Sequence, residues 1–194
     1  MDRMNSQLTP ANLFHGALVR LAALDPETDP ALIAPWFSDT EYMRLLDSHP
    51  ARPQTPKQVK ADMERRAEQA HGFPFAIRTR DGDKLIGFVS LWTHNGASAE
   101  GWVGIGIGEP DYWGKGYGGE AMRLLLRYAF HELNLARVSL EAFAHNTRAI
   151  RSYEKAGFRL EGIQRQWERR DGERRDVVSM GILREDWEAQ PVSI

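Results

Sequence analysis

The sequence predicts one α+β (α/β) domain, a mixed sheet with helices on its faces. Three observations carry that prediction. Two hairpin signals, Asp81-Gly82 and Asp171-Gly172, each lie between strand-like segments. The strongest helical pattern, residues 120–133, stands between two strand-like segments, 102–107 and 138–144, in the order of a strand–helix–strand crossover. The chain has 194 residues, 42% of them hydrophobic, enough for one sizeable core and too few for two comfortable domains.

The elements follow in order. Residues 1–14 read as a loose lead-in, polar at first and broken by Pro10, before a domain over 15–188 and a tail at 189–194. Residues 17–21 form a short apolar strand. Residues 25–35 are rich in Pro and Asp, and 36–46 read as broken helix. After a proline-rich connection at 50–56, a helix has a clear start. Thr55 caps it, Pro56 takes the first position and Gln58 completes a capping box. Val59, Met63, Ala67 and Ala70 follow at helical spacing. Strands at 73–79 and 85–92 flank Asp81-Gly82, and Asn95-Gly96 turns the chain into the strand at 102–107.

The next helix carries Ala121, Leu124, Leu125, Tyr128 and Ala129 in one stripe, widened by Met122, Leu126, Phe130 and Leu133. So wide a stripe suits a helix lying on a sheet. A buried strand at 138–144 precedes Asn146, which caps a short helix with Ala149, Ile150, Tyr153 and Ala156 on its inner face and Gly157 at its stop. Strands at 158–168 and 174–183 flank the second hairpin signal.

Composition excludes several functions. The net charge of −2 provides no overall basic field to recruit nucleic acid. With no cysteine there is no disulfide, thiolate metal site or cysteine nucleophile, and the six histidines show no metal-ligand spacing. The polar start has no apolar signal region, and no run approaches the roughly 20 apolar residues of a membrane span. A soluble cytoplasmic protein is the expectation.

The most informative stretch is Tyr112-Trp113-Gly114-Lys115-Gly116-Tyr117-Gly118-Gly119-Glu120-Ala121, set between a strand and an apolar helix. Backbone N–H groups of such a loop converge on one spot, and the helix dipole adds positive charge there, an arrangement suited to a pyrophosphate. It is neither a Walker loop nor a dinucleotide fingerprint. Taken alone, it reads equally as a tight turn. In the strand before it, Gly104, Gly106 and Gly108 leave one face bare, either for close packing or for a ligand. The run 165–175 alternates arginines with Glu168, Asp171 and Glu173, as a solvated hairpin does.

The third constellation is Leu140-Glu141-Ala142-Phe143-Ala144-His145-Asn146, then Arg148-Ala149-Ile150 and Tyr153-Glu154-Lys155-Ala156-Gly157-Phe158. Asn, Ala-Ile, Tyr-Glu-Lys and Gly-Phe in this order, one helix after Trp-Gly-Lys-Gly-Tyr-Gly, resemble the core of the GCN5-related N-acetyltransferases, in their ribosomal-protein (RimJ/RimL-like) branch. The likeness spans about residues 15–188.

That resemblance implies a mostly antiparallel sheet of about seven strands with a splayed central parallel pair. It implies acetyl-CoA in the gap, its pantetheine arm along Ile105, Gly106 and Ile107. The pyrophosphate would lie on Trp113, Gly114, Lys115, Gly116, Tyr117, Gly118 and Gly119. Asn146 matches the family's asparagine at the pantetheine. Tyr153 matches its tyrosine near the CoA sulfur, where a phenol can donate a proton to the departing thiolate. A core aromatic and a plain helix cap are the ordinary readings of these two residues. Glu141 matches a position proposed as base within the family, with Glu100 and a water chain as alternatives. The acceptor is then a primary amine: a protein N-terminus, a ribosomal protein or a small amine. A homodimer through the C-terminal strands is also implied. A non-catalytic acyl-CoA sensor on the same fold is the alternative function.

Overall fold

The computed structural model describes residues 13–93 and 99–190. Most of the expected lead-in, the turn at Asn95-Gly96 and the end of the tail lie outside the described residues. Strand β1 (Val19–Ala22) is followed by a short helix α1 (Asp29–Ile33), a 3₁₀ turn (Ala34–Ser38) and helix α2 (Thr40–Leu46). Helix α1 escaped the sequence reading because five residues with a proline in second place leave no periodicity to detect. Asp39 caps α2, its carboxylate accepting from the N–H groups of Glu41 and Tyr42 at 2.8 and 3.1 Å. Helix α3 (Pro56–Ala67) begins with the expected capping box between Thr55 and Gln58.

Strands β2 (Gly72–Thr79), β3 (Leu85–Thr93) and β4 (Glu100–Ile107) form an antiparallel run. Helix α4 (Tyr117–His131) leads to β5 (Arg137–Phe143), helix α5 (Thr147–Lys155), the hairpin β6 (Arg159–Arg170) and β7 (Glu173–Leu183), and a last short helix α6 (Arg184–Glu188). At the hairpin tip Asp171 and Gly172 have φ of 53° and 79°, the left-handed pair that an Asp-Gly turn supplies.

The seven strands lie in the order β1-β2-β3-β4-β5-β7-β6. Every neighbouring pair is antiparallel except β4 and β5. That parallel pair is joined only at Glu100–Arg137, Gly101–Val138 and Trp102–Ser139. Beyond these, β4 keeps its partner β3 as far as Ile107, and β5 keeps β7 as far as Phe143. The two strands therefore hold their outer neighbours while losing each other, and the sheet opens in its middle.

Each face of the sheet has its own core. On one, Met122, Leu125, Leu126 and Phe130 of α4 pack fully buried against Ile77, Ile86, Val89, Val138 and Leu140. On the other, Ile33, Trp36, Tyr42, Met43 and Val59 pack against Ala76 and Leu85. Phe14, placed by the sequence in the lead-in, packs on Phe75 and Tyr128 at ring separations of 5.6 Å. Burial of these apolar surfaces on both faces is what holds the opened sheet together.

Candidate active site

The opening between β4 and β5 is part of a cleft of about 490 Å³ that passes from one face of the sheet to the other. Tyr42, Leu45 and Leu46 of α2 line one end. Gly116, Gly118, Gly119 and Arg123 around the start of α4, with Ser152 and Tyr153 of α5, line the other. Ile105, Gly106 and Ile107 of β4 border it in between.

The glycine-bare face of β4 is used for packing. A Cβ at Gly108 would run into the Trp36 indole, one at Gly106 into the Tyr42 hydroxyl, and one at Gly104 would press on Trp92. The absence of side chains thus lets an aromatic layer lie directly on the strand.

The Gly-rich loop contributes differently along its length. Trp113 donates its indole N–H to the Ile107 carbonyl at 2.6 Å, which pins the loop to the end of β4. Trp113, Gly114, Gly116, Gly118 and Gly119 line the cleft. Lys115 is exposed, and Tyr117 packs edge-on against Tyr112, with ring centroids 5.0 Å apart; neither lines it. The helix begins three residues earlier than its apolar stripe suggested, so Gly118 and Gly119 belong to its first turn. Gly116, at φ 92°, takes the left-handed conformation that starts α4, and no side chain among the described residues caps that end. The first N–H groups of α4 are therefore left without helical partners at the cleft.

Four cations border the same end: Arg123, Arg148, Arg151 and Lys155. Among the described residues none of them pairs with a carboxylate, unlike Arg20, Arg44, Arg137 and Arg159 elsewhere on the molecule. Arg148 instead stacks on Trp113.

Tyr153 lines the cleft with its ring edge on Phe158. Burial pushes its phenol up to about 12, and among the described residues its hydroxyl makes no hydrogen bond. Asn146, 9% exposed, caps α5 through its side-chain oxygen, which accepts from the Ala149 N–H at 3.2 Å. Its amide nitrogen donates to the Leu45 carbonyl at 3.3 Å. One side chain thus ties α5 on one face to α2 on the other, across the opening.

The two carboxylates singled out as bases lie elsewhere. Glu141 is exposed and accepts from Gln164 Nε2 at 2.5 Å; it does not line the cleft. Side chains alternate along β5, and Leu140 takes the buried side. Glu100 sits where β4 and β5 are still paired, bound to Ser139 Oγ at 2.8 Å and to Arg137 at 3.2 Å. No Asp or Glu is among the described residues lining the cleft.

The charge run is not uniformly solvated. Glu168, near the β6–β7 tip, is 5% exposed, with both carboxylate oxygens lacking hydrogen-bond donors and Arg170 Nε 3.4 Å away. Among the described residues Tyr42 is the other buried side chain with an unpartnered oxygen, and it borders the cleft. Neither was legible: Glu168 is masked by its charged neighbours, and Tyr42 stands in a segment with weak periodicity. No group of three or more His, Cys, Asp or Glu among the described residues is placed to hold a metal ion.

Residues 19–159 match the family model described as an acetyltransferase (GNAT) domain. The chain belongs to the GNAT acetyltransferase family. Its relatives include the "Probable N-acetyltransferase YjcK" of Bacillus subtilis (strain 168), 37% identical over 126 residues, 64% of this chain and 69% of that one. The "Uncharacterized N-acetyltransferase YnaD" of the same organism is 31% identical over 155 residues, covering 78% and 86%. The fold matches that of spermidine N-acetyltransferase from Vibrio cholerae, solved with CoA and spermine, at a TM-score of 0.79 and 23% identity over 89% of this chain and 99% of that one. GNAT enzymes use acetyl-CoA, and this GNAT chain is an acetyltransferase. Its cleft suits that group: unpartnered N–H groups and cations at one end answer phosphates, and the opened edge of β4 leaves backbone groups for an amide-bearing arm. No helix among the described residues is long and apolar enough to cross a membrane.

Proposed function

We propose that this enzyme transfers an acetyl group directly from acetyl-CoA to a primary amine, either a protein N-terminal α-amine or a small amine. The observation that carries the reading is the opening of β4 from β5 beyond Trp102, which joins the two faces of the sheet through one cleft. The first turn of α4, with Arg123, Arg151 and Lys155, would hold the pyrophosphate, and Ile105–Ile107 would hold the pantetheine arm. The amine enters from the α2 side, between Tyr42, Leu45 and Leu46.

When bound, the thioester supplies an activated acetyl carbonyl. Tyr153 stays a neutral phenol because burial opposes its ionisation, so it holds a proton to give to the departing sulfur. With no carboxylate in the described lining, the proton of the attacking amine leaves through water rather than to Glu141 or Glu100. The apolar α2 wall favours the neutral amine at the point of attack.

Calorimetric titration with acetyl-CoA, with ATP and NAD as controls, tests the cofactor assignment. Release of free CoA with spermidine and with a short unblocked peptide then tests the acceptor class. Binding of acetyl-CoA alone is expected. Folded protein that binds none of the three overturns the reading. Binding without CoA release from any primary amine overturns the transfer step.

A further inference from the structure

Tyr42 is a buried side chain at the cleft whose polar atom the packing leaves unexplained. It is 3% exposed, and among the described residues its hydroxyl has no hydrogen-bond partner. A buried hydroxyl left so is costly, by an amount comparable to a lost hydrogen bond. Its neighbour Trp36, packed edge-on at 6.4 Å, shows the ordinary solution: the indole N–H donates to Glu109 at 3.0 Å. Tyr42 has no such outlet. Its hydroxyl rests on Gly106, the middle residue of the β4 edge that borders the cleft, and Tyr42 itself lines that cleft. Gly106 makes this approach available, because any Cβ there would overlap the hydroxyl.

We propose that the Tyr42 hydroxyl donates a hydrogen bond to the carbonyl oxygen of the bound acetyl thioester, which makes Tyr42 a catalytic residue. The proposal rests on the acetyl-CoA reading of the cleft. The amine nitrogen attacks the carbonyl carbon, and the C=O π pair moves onto the oxygen, where the Tyr42 O–H stabilises it. As that pair returns, the C–S bond breaks, the sulfur leaves with its electrons and takes the Tyr153 proton, and the nitrogen loses a proton to water, which restores the phenol. Amine and acetyl-CoA thus give amide and CoA. A preorganised donor aimed at the oxygen where charge develops is an effective form of catalytic stabilisation. Burial and the nearby Asp39 raise the Tyr42 phenol far above its ordinary value, so it stays protonated, and a donor, through neutral pH.

Tyr42→Phe keeps the ring against Trp36 and Gly106 and removes only the orphaned hydroxyl, so the variant is expected to fold with stability unchanged or raised. The test uses binding and needs no acceptor. Wild type and Y42F are titrated with acetyl-CoA and with S-ethyl-CoA, the thioether that lacks the carbonyl. The infrared stretch of carbonyl-¹³C acetyl-CoA is recorded on both proteins. The expected result is a lower carbonyl frequency on wild type than on Y42F. The preference of wild type for acetyl-CoA over S-ethyl-CoA should shrink about fivefold in the variant, the effect of one neutral hydrogen bond. The same band and the same preference in both proteins overturn the role of Tyr42 while leaving the cofactor reading intact. Failure of wild type to bind either ligand overturns both.

Discussion

The guanidinium of Arg148 lies over the indole of Trp113, 4.4 Å from the ring centroid. This pair joins the start of α5 to the loop before α4, and the same indole is bonded to the end of β4 through the Ile107 carbonyl. One side chain therefore connects three of the elements around the α4 end of the cleft. Trp113→Ala removes both contacts and is expected to weaken acetyl-CoA binding roughly 30-fold, about 1 kcal/mol for each. Trp113→Phe keeps a face for Arg148 and should fall between. Calorimetric titration measures this, and three equal affinities would show that the loop needs neither contact.

Gly116 separates backbone strain from charge. With φ at 92°, any side chain there is strained, so Gly116→Ala should cost about 1–2 kcal/mol of stability. Gly116→Asp adds a carboxylate at the start of α4, where the pyrophosphate is proposed to rest. It should lower acetyl-CoA affinity well beyond the Ala variant. Equal affinities for the two variants would remove the pyrophosphate from this helix end.

Tyr153→Phe should lower kcat about 100-fold with little change in acetyl-CoA affinity, the scale of a lost general acid. The sign of the pH dependence follows from burial. A phenol held at about 12 is protonated below that pH, so the donor survives through the ordinary tyrosine value of about 10. Single-turnover rates between pH 7 and about 10 should therefore show no loss traceable to Tyr153. A Phe variant with the wild-type single-turnover rate would exclude it from the mechanism.

Glu120 has a structural role that its place beside the cleft does not suggest. Its carboxylate accepts from three consecutive backbone N–H groups, those of Ala17, Leu18 and Val19, at 2.9, 2.7 and 2.7 Å. It fastens β1 to the first turn of α4. Glu120→Ala leaves those donors unpaired and should cost about 2 kcal/mol, a drop of roughly 4–8 °C in Tm. Glu120→Gln keeps one acceptor and should be intermediate. Thermal unfolding with and without acetyl-CoA would show whether the damage is to the fold rather than to ligand binding.

The amino-acid order alone was enough for the class, the main elements and the family. Asp-Gly at the hairpins, Thr55-Pro56 with Gln58 at the start of α3, and the wide apolar stripe of α4 are local signals whose causes lie within a few residues of sequence. The Gly-rich loop and the Asn146-to-Phe158 motif are also local, and they carried the likeness to the GNAT family, which the family match bears out; the match does not extend to the ribosomal-protein branch. Residues 105–107, the loop glycines, Asn146 and Tyr153 were selected on that likeness, and the fold gathers them in one cleft.

What only the tertiary structure decided is which way side chains face and what they meet. Whether the bare glycine face took a ligand or an aromatic layer depended on Trp36 and Tyr42, more than sixty residues away in the chain. Glu141 and Glu168 are both acidic residues near the C-terminal strands, yet the sheet turns one to solvent and buries the other. Charge, propensity and spacing are properties of a segment. Burial and a missing hydrogen-bond partner are properties of an assembled neighbourhood, set by long-range packing, and so the orphaned Tyr42 hydroxyl became visible only once the two faces of the sheet were built.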